Sequence, residues 1–244
     1  MTEYTPDQER ARSEINEWMQ EPGPSVRKIT GLAGTGKTYL ITEIDPTTAY
    51  FCAPTGKAAQ NMIDRGIRKA KTIHRLIYNV DRYSGFNLKP PAALKDHHMI
   101  VIDEASMISS DIWDDLMTFQ KKILICGDPL QLPPVGDDPS LLASRDIHLE
   151  TIHRQAADSP IISFAHKLRE PTHIPSTPAD KSAGDSTLVV CSTNEGMDEA
   201  LKRVTLENLA VITARNSEKR KINKLIREQL GRTGTPFEEG DILV

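Results

Sequence analysis

The chain has 244 residues, of which 38% are hydrophobic and 26% charged, and carries a net charge of -4 at pH 7. That length suits one large or two modest soluble domains, and the slight negative balance excludes a protein held on nucleic acid by bulk electrostatics alone. No apolar run approaches a membrane span and the polar start MTEYTPDQERARSE does not read as a signal peptide, so a cytoplasmic protein is expected.

The first predicted strand, VRKITGL from Val26, runs into Gly31-Leu-Ala-Gly34-Thr35-Gly36-Lys37-Thr38. This block fits GxxxxGK[ST] and opens the helical stretch KTYLITEI, which is the strand-loop-helix setting the motif requires. Its glycines let the backbone wrap around phosphates with amide N–H groups pointing inward. Lys37 then reaches the β- and γ-phosphates, and the Thr38 hydroxyl can bind Mg2+. The next strand is TAYFCAP from Thr48. Beyond it, the segment from Lys57 to Arg75 holds Lys57, Arg65, Arg68, Lys69, Lys71 and Arg75 against the single acid Asp64. Spacing alone leaves it open whether this is a nucleic-acid patch or a solvated helix face.

Residues Tyr78 to Leu94 break the alternation of strands and helices, and their Ser-Gly pair between short runs predicts a β-hairpin insert. The strand MIVIDE from Met99 ends in Asp103 and Glu104, acids that are costly at the end of an apolar strand unless they have a job. Asp103 suits a metal held through water and Glu104 a general base for an attacking water. After the amphipathic SSDIWDDLMTFQ comes the strand KILICGD from Lys122, then a Pro-stiffened loop on which Gln131 can touch a γ-phosphate and report its loss. A further strand, IHLETI from Ile147, follows. Near-continuous apolar strands separated by helices predict an α/β fold with a parallel sheet covered on both faces. Its strands would end along one rim, where such sheets bind ligands.

Residues 170–185 are rich in Pro, Ser and Thr and read as a connecting loop. TLVVCS, ENLAVITA, the helix NSEKRKINKLIREQL and GDILV then look like the start of a second α/β unit, short for a complete domain. Cys52, Cys126 and Cys191 lie in or beside apolar runs and form no CxxC pair, so buried reduced thiols are expected rather than a zinc site or disulfide framework.

The blocks GLAGTGKT, APTGKAA, TIHRL, VIDEASM, GDPLQLPPV and IHRQ come in the order seen in RecD-like and Dda-like superfamily 1B DNA helicases, and Tyr4-Thr-Pro-Asp-Gln8 resembles that family's Q motif. The resemblance implies a RecA-like P-loop NTPase lobe over residues 1–155, with a pin hairpin inserted at about 78–95, and a partial second RecA-like lobe over 156–244. It implies ATP and Mg2+ as cofactors, single-stranded DNA and the single-strand/duplex junction as partners, and 5′ to 3′ translocation. Gln8 would hydrogen-bond the adenine edge; Gly31, Gly34, Thr35, Gly36, Lys37 and Thr38 would hold the phosphates; Thr38 and Asp103 would serve the metal. Lys37, Glu104, Gln131 and Arg154, the last as an arginine finger, would act in catalysis. Pro54, Thr55, Lys57, Thr72 and His74 would touch DNA, and Phe86 would wedge against the first base pair. The family's later Thr-rich and Arg-bearing blocks and its SH3-like insert are absent, so the chain reads as the N-terminal portion of a motor. Two other readings stay open: a P-loop ATPase or phosphotransferase that never moves along DNA, and a non-enzymatic remnant that binds DNA or a partner.

Overall fold

The computed structural model describes residues 4–81, 85–134, 136, 139–152, 164, 167, 179–183, 186–190, 216–229 and 231–232. The chain divides into two compact units, Met1–Glu170 and Pro171–Val244.

In the first unit, helix α1 (Pro6–Gln20) starts at Thr5, whose side chain accepts from the Gln8 backbone while the Gln8 side chain accepts from the Thr5 backbone. This reciprocal cap satisfies two of the donors that a helix start leaves orphaned. Ala11, Ile15 and Trp18 then fall on one stripe and are buried.

Six strands form the central sheet: β1 (Val26–Gly31), β2 (Ala49–Ala53), β3 (Lys71–Thr72), β6 (Met99–Ile102), β7 (Lys122–Gly127) and β8 (Ile147–Leu149), in the order β3-β2-β6-β7-β1-β8. Every pairing is parallel. The strand pleat divides the core between the two faces. Met99, Val101, Leu124 and Cys126 pack with α1, while Ile100, Ile102, Ile123 and Ile125 pack on the other side with Leu116 and Phe119. Each fully buried isoleucine contributes about 1.5–3 kcal/mol. The α/β fold with both sheet faces covered is thus the one expected.

The connecting helices are α2 (Lys37–Thr42), α3 (Gly56–Asp64), α4 (Ile73–Ile77) and α5 (Ser110–Met117). The expected insert is an antiparallel hairpin of β4 (Tyr78–Asp81) and β5 (Gly85–Leu88). One expectation needs correcting: the strand from Ile147 stops at Leu149, because the next two N–H groups, of Glu150 and Thr151, donate to the Asp7 carboxylate instead of to a strand.

In the second unit, β9 (Ala179–Ala183) and β10 (Ser186–Val190) form an antiparallel pair. The segment expected to be loop therefore contains a strand. Its sequence ADKSA has little intrinsic β-propensity, and pairing with Leu188 and Val189 overrides that. Helix α6 (Asn216–Gln229) lies where the basic helical pattern predicts it. Among the described residues no helix is long and apolar enough to cross a membrane. Cys52 and Cys126 are buried free thiols, with burial pushing both upward in pKa; Cys191 lies outside the described residues.

Candidate nucleotide site

Because all six strands run the same way, the chain leaves β1, β6 and β7 at one rim of the sheet. Gly31-Thr38 connects β1 to α2 there. Gly34 and Gly36 hold positive φ of 87° and 83°, a conformation that glycine adopts without strain. Gly31 is required for another reason: a Cβ there would lie 2.7 Å from the Leu149 carbonyl oxygen. The Lys37 ammonium folds back across the loop and donates to the carbonyls of Gly31 at 2.7 Å and Leu32 at 2.9 Å. Burial pushes Lys37 below the ordinary lysine range, opposed by the negative charges of Asp128, Asp103 and Glu104.

The Thr38 hydroxyl donates to Asp103 Oδ2 at 2.9 Å. Two hard oxygen donors in contact at the mouth of a phosphate loop fit Mg2+, which takes few protein ligands and completes its shell with water and substrate phosphates. Among the described residues no cluster of three or more His, Cys, Asp or Glu side chains forms a metal cage.

Asp103 is buried, and burial raises its pKa against the opposing Thr38 hydroxyl, Glu104 N–H and Lys37 charge. Glu104 is raised as well, by burial and then by the charge of Asp103. The Glu104 backbone sits at φ 56°, ψ 41°, left-handed space that costs a residue with a Cβ about 1 kcal/mol or more. Gln131 hydrogen-bonds the Glu104 side chain and accepts from the Ser106 hydroxyl at 3.3 Å. Lys37, Thr38, Asp103, Glu104 and Gln131 are thus brought together from three strand ends.

One group in this cluster was missed by sequence reasoning. Asp128 is 0% exposed, is the first opposing charge on Lys37, and accepts from the Leu130 N–H at 3.0 Å. Its signal was the one used for Asp103, an acid directly after an apolar strand. Asp7 was missed too. Gln8, expected at the adenine edge, is fully buried; its Nε2 donates to the Thr35 carbonyl at 2.9 Å and its Oε1 accepts from the Thr5 N–H at 3.0 Å.

The expected DNA contacts lie on the β2 and β3 side. Pro54 and Thr55 follow β2, and the Thr55 hydroxyl caps α3 by accepting from Ala58. Lys57 is exposed, as are Arg65, Arg68, Lys69, Lys71 and Arg75. Thr72 caps α4 by accepting from Arg75. The His74 ring lies 5.6 Å from Tyr78 and 5.4 Å from Phe86 on the hairpin. Phe86 is 62% exposed. Arg154 lies outside the described residues.

Sheet, loop and acidic strand end together define a P-loop nucleoside-triphosphatase domain, a class that binds nucleotide. The model of the AAA domain family matches residues 3–179, and the chain belongs to that family. The similarity to superfamily 1B helicases is also direct. An ATP-dependent RecD2 DNA helicase from Deinococcus radiodurans is 34% identical over 154 residues, covering 57% of this chain and 21% of the relative. The human ATP-dependent DNA helicase PIF1 is 31% identical over 131 residues, covering 46% of this chain and 20% of the relative. The chain thus spans about a fifth of the length of these two curated relatives. Among solved structures, Pif1 helicases at forked double-stranded DNA align over 91% of this chain and 57% of theirs, with a TM-score of 0.56 at 21% identity. Bacteroides Pif1 bound to single-stranded DNA aligns over 95% of this chain and 57% of its own, with a TM-score of 0.54 at 19% identity. At such identities the likeness shows the fold.

Proposed function

We propose that this chain is the ATP-hydrolysing lobe of a DNA helicase or translocase, stimulated by single-stranded DNA and moving 5′ to 3′, with residues 156–244 beginning a second RecA-like lobe. The observation that carries the reading is the contact of Thr38 with Asp103 beside Lys37 and Glu104. Thr38 and Asp103 would hold Mg2+, which when bound would supply positive charge against the phosphates. Lys37 exchanges its loop carbonyls for phosphate oxygens. Glu104 takes a proton from the attacking water, a role that its raised pKa favours near neutral pH. Gln131, tied to Glu104, registers the γ-phosphate, and Arg154 stabilises the charge of the transferred phosphoryl group.

DNA binding is supported by the exposed basic residues of 57–75 and by the hairpin beside His74. It is also supported by the relatives: one solved Pif1 is bound to single-stranded DNA and another acts at forked duplex. In this reading Pro54, Thr55, Lys57, Thr72 and His74 track the strand while Phe86 meets the junction. The test is phosphate release with and without single-stranded DNA, alongside strand separation of a 5′-tailed duplex. Stimulated hydrolysis with separation is expected of the motor. Hydrolysis that DNA leaves unchanged would mark an ATPase that does not travel on DNA, and no hydrolysis at all would remove the enzyme reading.

A further inference from the structure

The fully buried Gln8 side chain bridges two backbone groups that are far apart in sequence. It accepts from the N–H of Thr5 and donates to the carbonyl of Thr35. Because both partners are main-chain groups, one only a donor and the other only an acceptor, the orientation of the amide is fixed. The Thr35–Gly36 peptide is trans, so its N–H points opposite to its carbonyl. Holding the Thr35 oxygen on the α1 side therefore turns the Gly36 N–H the other way. Gly36 lies in the phosphate loop, just before α2, and the N–H groups of such a loop are the natural ligands of a phosphate.

The turn that carries Gln8 is itself anchored. Asp7 Oδ2 accepts from Glu150 and Thr151, at 2.9 Å each, just past β8, and Asp7 Oδ1 accepts from the Thr5 hydroxyl. Burial acts to raise the Asp7 carboxyl, but these hydrogen bonds outweigh it and hold the group below the usual carboxylate range. A side chain on such a fixed turn can set the aim of a loop peptide to a fraction of an ångström.

We infer that Gln8 is a positioning residue for the phosphate loop: it aims the Gly36 N–H at the triphosphate, and its effect does not depend on the base. The inference rests on the proposal that Gly31–Thr38 binds a nucleoside triphosphate. It gives Gln8 a job beyond the adenine contact expected from the sequence.

The test is binding of ATP, GTP and inorganic tripolyphosphate to the full chain and to Gln8→Met, which keeps the length of the side chain and removes its hydrogen bonds. Affinity is expected to fall about tenfold for tripolyphosphate, which has no base, and at least as much for the two nucleotides. A loss confined to ATP, or no loss for any ligand, overturns the inference. A wild-type chain that binds none of the three overturns the nucleotide-site reading itself, which keeps the two failures distinct. Gln8→Glu keeps an acceptor for the Thr5 N–H and serves if Gln8→Met does not fold. At pH 8 the introduced carboxylate faces the Thr35 carbonyl without a proton to donate; as the pH falls and the group protonates, it regains a donor. Tripolyphosphate affinity relative to wild type is then expected to recover between pH 8 and about 5.5. A pH-independent ratio counts against the positioning role, because loss of packing alone would not titrate.

Discussion

The nucleotide rim and the β4–β5 hairpin are built on opposite principles. At the rim, polar groups are tied to one another, from buried Asp103 through half-buried Thr38, Lys37 and Glu104 to exposed Gln131: Thr38 to Asp103, Glu104 to Gln131, Lys37 to its own loop carbonyls. On the hairpin, apolar side chains stand in solvent, with Val80 76% and Phe86 62% exposed. Phe86 meets the His74 and Tyr78 rings, and the Tyr78 hydroxyl donates to Asp115 at the hairpin base. In the proposed reading the difference has a reason: groups that carry out chemistry must be fixed to a fraction of an ångström, and groups that meet another molecule must stay uncovered until it arrives.

The sharpest way to break the contrast is Glu104→Gln. Hydrolysis is expected to fall about 10^3-fold while nucleotide binding persists; steady-state phosphate release with a binding titration checks both, and retained turnover would assign the base elsewhere. Next is Lys37→Ala, for which about a 10^2-fold loss of hydrolysis is expected, checked by steady-state phosphate release. Phe86→Ala should leave DNA-free hydrolysis unchanged and weaken junction or single-strand binding about tenfold, the scale of one base–aromatic stack. Fluorescence anisotropy reads the binding, and a fall in DNA-free hydrolysis would mean that the two regions are not separable.

What was legible in the sequence follows the same division. Lys37, Thr38, Asp103 and Glu104 could be placed because each belongs to a contiguous motif with a strand on one side. The bonds of Asp7 could not, since its partners Glu150 and Thr151 lie more than a hundred residues away. Asp128 was hidden inside a loop whose prolines drew attention, although it ends an apolar strand as Asp103 does. The β9 strand was illegible because its composition favours a loop and only its pairing with β10 makes it a strand.

Two smaller effects refine the picture of the rim. Glu104 must be ionised to accept a proton, and its folded pKa is raised. Turnover should therefore decline, as pH falls, above the ordinary glutamate value of about 4.3. A pH–rate profile whose acid limb stays at that value would argue that Glu104 is not the base. Last, Glu104→Gly should abolish hydrolysis yet stabilise the fold by about 1 kcal/mol by relieving the left-handed backbone. A denaturant titration showing no gain would mean that other contacts of the carboxylate offset that strain.

Strand β1 finds its sheet neighbours in β7 and β8. A chain emerging from the ribosome must therefore wait roughly a hundred residues before the strand that precedes the phosphate loop can take its place. Nucleotide capture should switch on during synthesis in one late step, once β8 has been made, rather than accumulate gradually as the loop and its helix emerge.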